Sequence, residues 1–212
     1  MFISLIGMSG VGKSFWSVEL EKKKSFRRFG IDDMIEAELE PELKKFGYSG
    51  IKDMSRWLGQ PYDVRCAENS ERYLELEEAS AQKALDAVEN MESENIVIDT
   101  TGSVVYLSEE LLGRMKKLTQ VIYFNTPKEV IEKKIKQYFD NPKPIIWGKS
   151  YNANPGEDPV LALKRCYPEL LRYRTGRYEK LADRTIDYYE QMDKSYMVDD
   201  LLGSFVKTAP HA

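Results

Sequence analysis

The sequence predicts an α/β fold in which helices flank a five-stranded parallel sheet. Three observations lead to it. Short apolar runs alternate with stretches of helical periodicity, a glycine-rich loop joins the first run to the first helix, and acidic residues follow two of the runs. With 212 residues, 42% of them hydrophobic and 31% charged, the chain suits one compact domain, residues 1–212.

The predicted strands are short apolar runs bounded by polar or turn-forming residues. They cover Phe2–Ile6, 29–32, 95–100, Gln120–Phe124 and 185–189, and the run at 29–32 is the weakest. Between these runs, apolar residues recur at helical spacing over 74–88, 111–118 and 131–138. The sequence Thr126-Pro127-Lys128-Glu129 has the pattern of a capping box with proline at the first helical position, so a helix should begin there.

The glycine-rich loop predicts a phosphate-binding site. Residues 7–14 read GMSGVGKS, which fits the pattern G-x-x-x-x-G-K-S/T directly after the first strand. In such a loop, backbone N–H groups surround phosphate oxygens and the next helix presents its positive end to them. Lys13 should reach the β- and γ-phosphates, and the Ser14 hydroxyl should bind Mg²⁺. The expected nucleotide contacts are Gly10, Val11, Gly12, Lys13, Ser14 and Phe15.

Two carboxylates are candidates for taking a proton from the acceptor or for holding the water shell of Mg²⁺. Asp32 closes the second predicted strand and Asp99 the third, at the edge of the sheet where ligands bind in open α/β folds. Helix N-capping is the alternative for Asp32 and for Asp33, and at Asp33 the cap is the preferred interpretation.

Two further features suggest substrate handling. Residues 141–159 contain too many proline, glycine and asparagine residues for a helix, which favours a lid at 140–160 that carries Lys143 and Lys149 over a surface excursion. Arg174 lies on the apolar stripe of the last long helix and therefore needs an anionic partner. That partner is either a carboxylate of the protein or an anionic group of the substrates.

Composition argues against several classes of partner. The net charge of −4 disfavours a nucleic-acid binder, and the basic run at 22–28 is explained as the C-terminal end of a helix. No apolar stretch approaches the roughly 20 residues needed to span a bilayer. Cys66 and Cys166 are isolated, as expected of reduced thiols, and His211 is the only histidine. A cytoplasmic protein is expected. The oligomeric state stays open, with a monomer as the working expectation.

Together these residues resemble the shikimate kinase family of P-loop kinases over most of the chain. Residues 7–14 look like its phosphate loop, 30–36 like its Asp-x-Asp-Asp-Leu-Ile-Glu element, 143–146 like its lid motif and 170–183 like its C-terminal helix motif. The resemblance implies a P-loop kinase fold with a lid. It also implies transfer of the ATP γ-phosphoryl group to a hydroxyl of a small metabolite, with Mg²⁺.

The resemblance also assigns roles to individual residues. Asp32 takes the place of the acceptor-binding, base-like aspartate, and Lys143 that of the lid arginine that reaches the transferring phosphate. Lys134 falls near the adenine-stacking arginine. Residues 33–92 form the predicted acceptor-binding region. Thr101, Gly102 and Arg174, which lie outside it in sequence, also match acceptor-binding positions.

The departures from the family pattern concern the acceptor and the metal. Gly30 replaces the first aspartate of the pair, so Asp99 is expected to take over the Mg²⁺ water contact. Leu74 occupies the place of an acceptor-binding arginine, and 101–103 read Thr-Gly-Ser where the family has three glycines. Losing a charge-assisted contact costs about 1.5–3 kcal/mol, enough to change specificity. The candidates for a new acceptor pocket are Arg56, Trp57, Tyr62 and Arg65.

Three alternatives compete with a metabolite kinase. A nucleoside monophosphate kinase normally carries several lid arginines, whereas this segment has lysines and no arginine. A nucleotide-dependent binding module would keep the phosphate loop without turning over a small acceptor. A pseudoenzyme is disfavoured by the intact Lys13, Ser14, Asp32 and Asp99.

Overall fold

One five-stranded parallel sheet forms the centre of the molecule. The computed structural model describes residues 1–90, 94–140 and 144–203. The strands are β1 (Phe2–Ile6), β2 (Arg27–Gly30), β3 (Ile96–Asp99), β4 (Gln120–Phe124) and β5 (Arg184–Ile186), in the spatial order β2-β3-β1-β4-β5. The predicted fold class is confirmed. The predicted bounds of β1 and β4 match, whereas β2, β3 and β5 are shifted or shorter.

Helices pack on the sheet and close its two faces. They are α1 (Lys13–Lys24), α2 (Ile31–Lys44), α3 (Gly50–Leu58), α4 (Cys66–Asn90), α5 (Glu109–Leu118), α6 (Lys128–Asp140), α7 (Pro159–Leu181), α8 (Tyr188–Met192) and α9 (Val198–Leu202). A 3₁₀ turn covers Val104–Tyr106. Local signals explain several starts. Asp158 caps α7 by accepting from two backbone N–H groups, with Pro159 at the first helical position.

The central strands β1, β3 and β4 are buried on both faces, which is why they are largely apolar. Ile3, Leu5, Val97, Ile98 and Ile122 are fully buried. In the parallel register Leu5 pairs with Asp99, so the loop after β1 and the last residue of β3 lie at the same edge. The connection from β1 leads to β2 on one side, and that from β3 leads to β4 on the other. Ligands bind at such a reversal.

Two expectations about the second strand are wrong. β2 ends at Gly30, so Asp32 does not close a strand but lies in the first turn of α2. Asp33 lies in the same turn and caps nothing, since Gly30 is the N-cap residue and no side chain bonds there. The apolar run at 29–32 is interrupted by a glycine, and the helix begins at Ile31. Two carboxylates in a first turn are still favoured by the helix dipole.

Other regions follow the sequence more closely. The three lysines of the basic run end α1, where they complement the dipole. The helix α6 begins at Lys128, close to the predicted start, but the predicted capping bond is not made, because Oγ1 of Thr126 has no hydrogen-bond partner among the described residues. Residues 144–158 form no helix or strand. In the described part of the chain, no helix is both long and apolar enough to cross a membrane.

Candidate active site

The loop between β1 and α1 turns at three glycines that have positive φ angles. Gly12 is the N-cap residue of α1 and adopts a left-handed conformation with φ of 107°. A Cβ atom at Gly12 would also lie 2.7 Å from Oε1 of Gln191, so both conformation and space require glycine there. Lys13 is buried, and its Nζ donates to the carbonyl oxygens of Gly7 at 2.9 Å and Met8 at 3.1 Å. Loop and helix end together can hold a phosphate chain.

Gln191 supports this loop from the C-terminal part of the chain. Its Nε2 donates to the Val11 carbonyl at 2.7 Å, and its Oε1 accepts from Nε1 of Trp16 at 2.9 Å. The side chain is buried, so both ends of the amide are satisfied inside the protein. No pattern in the sequence indicates this residue, because it lies 180 positions from Val11.

Asp99 ends β3 beside the loop and is 4% exposed. Its Oδ2 lies 3.1 Å from Oγ of Ser17 and accepts from Nη2 of Arg28 at 3.1 Å. Its Oδ1 is buried and has no hydrogen-bond partner among the described residues. Burial tends to lower the pKa of Arg28, but the bonds to Asp33 and Asp99 outweigh it and the pKa is raised.

This arrangement fits a hydrated Mg²⁺ ion. A buried carboxylate oxygen without a partner can accept a hydrogen bond from a metal-bound water, and Ser14 lies exposed in the first turn of α1. Within residues 1–90, 94–140 and 144–203, no three acidic, cysteine or histidine side chains cluster as a metal cage. Mg²⁺ needs no such cage, since it usually takes one or two protein ligands, phosphate oxygens and waters.

Asp32 lies near both Lys13 and Asp99. Its Oδ1 accepts from the hydroxyl of the buried Tyr73 at 3.2 Å. Burial raises the pKa of Asp32, the nearby Lys13 opposes that rise, and the charge of Asp99 adds to it. The structure therefore brings together the lysine of the loop and the two candidate carboxylates. Tyr73 was not identified as a site residue from the sequence.

A second buried carboxylate, Glu77, is bound by the loop after β3. The hydroxyl of Thr101 donates to its Oε1, and that of Ser103 donates to its Oε2 at 2.6 Å. Burial raises the pKa of Glu77 to about 7, although the two hydroxyl bonds oppose the rise. The side chains that replace two loop glycines thus bind a glutamate of α4, and no periodicity in the sequence predicts that contact.

Arg174 is buried at the same edge of the sheet. Its Nη2 donates to the Ile146 carbonyl at 2.6 Å, and its guanidinium carbon lies 5.4 Å from the centre of the Tyr106 ring. Among the described residues, its Nε is buried without a hydrogen-bond partner, and its guanidinium forms no ion pair with a carboxylate. A Cβ atom at Gly102 would lie 3.3 Å from both Nη1 of Arg174 and the backbone N of Ser9. Arg174, Gly102 and the phosphate loop are therefore neighbours.

An open cavity of about 620 Å³ lies beside this region, between α4 and residues 146–151. Leu74, Ile146, Trp147 and Tyr151 contribute its apolar lining, and carboxylates such as Glu71 lie on its wall. The Ile146 carbonyl accepts from Arg174, so this wall of the cavity adjoins the buried arginine.

The other predicted residues either lie outside the described part of the chain or make contacts elsewhere. Lys143 lies outside the described residues, and so does the side chain of Lys134. The four candidates for a new acceptor pocket make other contacts. Arg56 pairs with Asp53, Trp57 donates to Glu42, Arg65 stacks over Phe46 and Tyr62 contacts Tyr151. Phe15 is 61% exposed beside the loop.

The sheet order and the phosphate loop define the class, the P-loop kinase fold. A shikimate kinase of Persephonella marina is 31% identical to this chain over 144 residues, which are 68% of the chain and 71% of the relative. The chain belongs to the shikimate kinase family, as the residues of the loop and the C-terminal helix had indicated. No protein-family model matches the chain.

Solved structures agree on the fold. The shikimate kinase of Aquifex aeolicus superposes with a TM-score of 0.57 and 20% identity, covering 95% of this chain and 94% of that one. The shikimate kinase of Acinetobacter baumannii, in complex with shikimate, superposes with a TM-score of 0.55 and 18% identity, covering 95% of this chain and 87% of that one. The shikimate kinase of Bacteroides thetaiotaomicron superposes with a TM-score of 0.57 and 16% identity, covering 95% of this chain and 98% of that one.

Proposed function

We propose that this protein transfers the γ-phosphoryl group of ATP to a hydroxyl group of a small metabolite. The observation that carries the proposal is the meeting of Lys13, Asp32, Asp99 and Arg174 at one edge of the sheet. Phosphoryl transfer needs positioning, charge compensation and a proton acceptor rather than covalent chemistry by the protein. Membership of a kinase family supports the same reaction.

The phosphate end of the site binds the nucleotide. Backbone N–H groups of residues 7–14 and the ammonium of Lys13 compensate the charge of the triphosphate. Ser14 and Asp99 would hold Mg²⁺, which supplies further charge compensation when bound. Lys134 would contact the base, and Lys143 would reach the transferring phosphate as the 140–160 lid closes. Both roles rest on the family resemblance.

Asp32 is the proposed base for the acceptor hydroxyl. Its raised pKa brings it closer to the working pH, which makes a carboxylate a better proton acceptor than an exposed one. The hydrogen bond from Tyr73 fixes the orientation of the carboxylate. Lys13 lies close enough to stabilise the ionised form of Asp32. The same lysine would therefore contact both the nucleotide phosphates and the residue that takes the acceptor proton.

The acceptor would lie between α2, α4 and the loop at Thr101 and Gly102, with Arg174 as its cation. The proposed acceptor is not shikimate itself. Leu74 stands where the family has an acceptor-binding arginine, and it borders the open cavity beside α4. A compound with a carboxylate at that point would lose about 1.5–3 kcal/mol of binding relative to an arginine-bearing site.

A ligand screen by thermal unfolding tests this proposal. We expect MgADP to raise the unfolding temperature, and the true acceptor to raise it further, because each ligand that binds only the folded state stabilises it. Shikimate belongs in the panel as the reference compound, and hits are then assayed for ATP-dependent product formation. Calorimetry that detects no binding of ATP with Mg²⁺ would refute the proposal. Binding of ATP without turnover of any acceptor would favour a nucleotide-dependent binding module instead.

A further inference from the structure

Arg28 makes three contacts that join four elements around the phosphate loop. It lies on β2, and its side chain is 18% exposed. Nε donates to Oγ of Ser17 at 2.8 Å, Nη1 to Oδ2 of Asp33 at 2.7 Å and Nη2 to Oδ2 of Asp99 at 3.1 Å. All three guanidinium nitrogens are therefore engaged, and the side chain is fixed in one position.

The space for this guanidinium depends on Gly30. The φ angle of Gly30 is −87°, which any residue adopts, so backbone conformation does not require a glycine. A Cβ atom there would lie 2.6 Å from Nη2 of Arg28 and 2.9 Å from its Cζ. The nearest atom to that position is Oδ2 of Asp33, so the paired side chains of Arg28 and Asp33 together fill the volume that a larger residue would use.

Because Arg28 contacts only one oxygen of the Asp99 carboxylate, the two oxygens have different surroundings. Oδ2 lies within hydrogen-bond distance of both Ser17 and Arg28, whereas Oδ1 is buried and has no partner in the described part of the chain. A buried carboxylate oxygen is normally hydrogen-bonded, because leaving it unsatisfied is unfavourable. The side chain is thus held by one oxygen while the other remains available to a ligand.

The charges leave the site attractive to a cation. Arg28 is paired with Asp33 as well as with Asp99. The charges of Arg28 and Asp33 offset each other. Asp99 therefore keeps most of its negative charge for a metal ion, even though a guanidinium lies beside it. Without Asp33, the cation would offset that charge and repel a second cation.

We propose that Arg28 is a positioning residue for the metal ion of the nucleotide complex. It holds Asp99 by Oδ2 and so leaves Oδ1 to accept from the hydrated Mg²⁺. This inference rests on the proposed function, and Arg28 itself contacts neither nucleotide nor acceptor in it. The sequence had grouped Arg28 with the basic run that ends α1, but its side chain turns toward β3 instead.

Calorimetric titration of ADP, with and without Mg²⁺, tests the inference without requiring turnover. For Arg28→Met we expect metal-free ADP binding within about twofold of wild type, because the phosphate loop is intact, while the gain in affinity from Mg²⁺ falls about tenfold or more, as for other residues that orient metal ligands. Arg28→Lys keeps the charge, but its single nitrogen cannot reach the three partners that the three guanidinium nitrogens contact. This variant should therefore lose part of the gain in affinity from Mg²⁺. Arg27→Met is the matched control, since Arg27 lies next to it on β2 and stacks on Phe29. It should change neither quantity.

The outcomes separate the two proposals. Wild-type protein that binds ADP without any dependence on Mg²⁺ would overturn the metal site and this inference with it. A normal wild-type response together with an unchanged or larger Mg²⁺ effect in Arg28→Met would overturn the inference alone, since a larger effect means that the arginine merely repels the ion. If Arg28→Met does not fold, an unchanged Mg²⁺ effect in Arg28→Lys has the same consequence.

Discussion

The phosphate end and the acceptor end of the site differ in how the oxygens of their buried carboxylates are hydrogen-bonded. At the phosphate end, Asp99 is held by one oxygen and its other oxygen has no partner among the described residues. At the acceptor end, Glu77 has both oxygens bound by the hydroxyls of Thr101 and Ser103. The carboxylate of the first region keeps one oxygen for a ligand, whereas the carboxylate of the second is satisfied within the protein.

This difference follows from what builds each region. The phosphate end consists mainly of backbone N–H groups, a helix terminus and glycines, which leave few ways to vary it. The acceptor end consists of side chains from α2, α4, α7 and the loop after β3, each of which can change alone. The reaction is therefore expected to be retained while the acceptor changes.

The largest expected effect concerns the phosphate end. Lys13→Ala should reduce ATP turnover by at least about a thousandfold, because the variant loses the ammonium that compensates the charge of the β- and γ-phosphates. Circular dichroism should show that the variant stays folded. Lys23→Ala on the exposed side of the same helix is the control and should leave the rate unchanged. An undiminished rate in Lys13→Ala would refute the assignment.

The second prediction concerns the carboxylate between the two regions. Asp32→Asn should lower kcat by about 10²–10⁴-fold if Asp32 takes the acceptor proton. In wild type the rate should be full above the pKa of Asp32 and be lost as the pH falls through it. Because burial raises this pKa, that loss should occur at a higher pH than for an exposed aspartate.

A change at Tyr73 tests the same assignment independently. Its hydrogen bond lowers the pKa of Asp32, so Tyr73→Phe should move the acid limb of the pH–rate profile further up. A purely structural role of Asp32 predicts no such movement. An acid limb that stays in place in Tyr73→Phe would count against Asp32 as the base.

The third prediction addresses the acceptor end directly. Leu74→Arg should strengthen shikimate binding by about 10–100-fold, since a charge-assisted contact contributes about 1.5–3 kcal/mol. Calorimetry in the presence of MgADP measures the change. Leu74→Gln, of similar length but without charge, should bind shikimate as wild type does. Equal affinity in all three proteins would show that position 74 does not face the acceptor.

The smallest effect is one on stability rather than rate. Folding raises the pKa of Glu77 from 4.5 to about 7, so its stabilising contribution is complete below about 4.5 and is lost as the pH rises through about 7. The loss amounts to about 3 kcal/mol at most. The unfolding temperature of Glu77→Gln relative to wild type should therefore increase between pH 5 and pH 8. Glu78→Gln, whose carboxylate binds Ser108 at the surface, should show no such trend.

Some of the site could be predicted because its signals are local. The phosphate loop, Lys13 and the position of Asp99 at a strand end follow from short contiguous segments, and so does the start of α6. The expectations for Asp32 and Asp33 were wrong in their local structure because β2 has only four residues and α2 begins directly after it. A weak strand next to a helix start gives no clear boundary.

The sequence by itself determined the α/β class, the phosphate loop and the kinase family, because these depend on patterns within short stretches of chain. Only the tertiary structure decided that Arg28 holds Asp99, that Gln191 supports Val11 and that Glu77 is satisfied by Thr101 and Ser103. These contacts join residues that lie 24 to 180 positions apart. Their partners are set by strand order and helix packing, and no local pattern encodes which distant side chain will fill a given space.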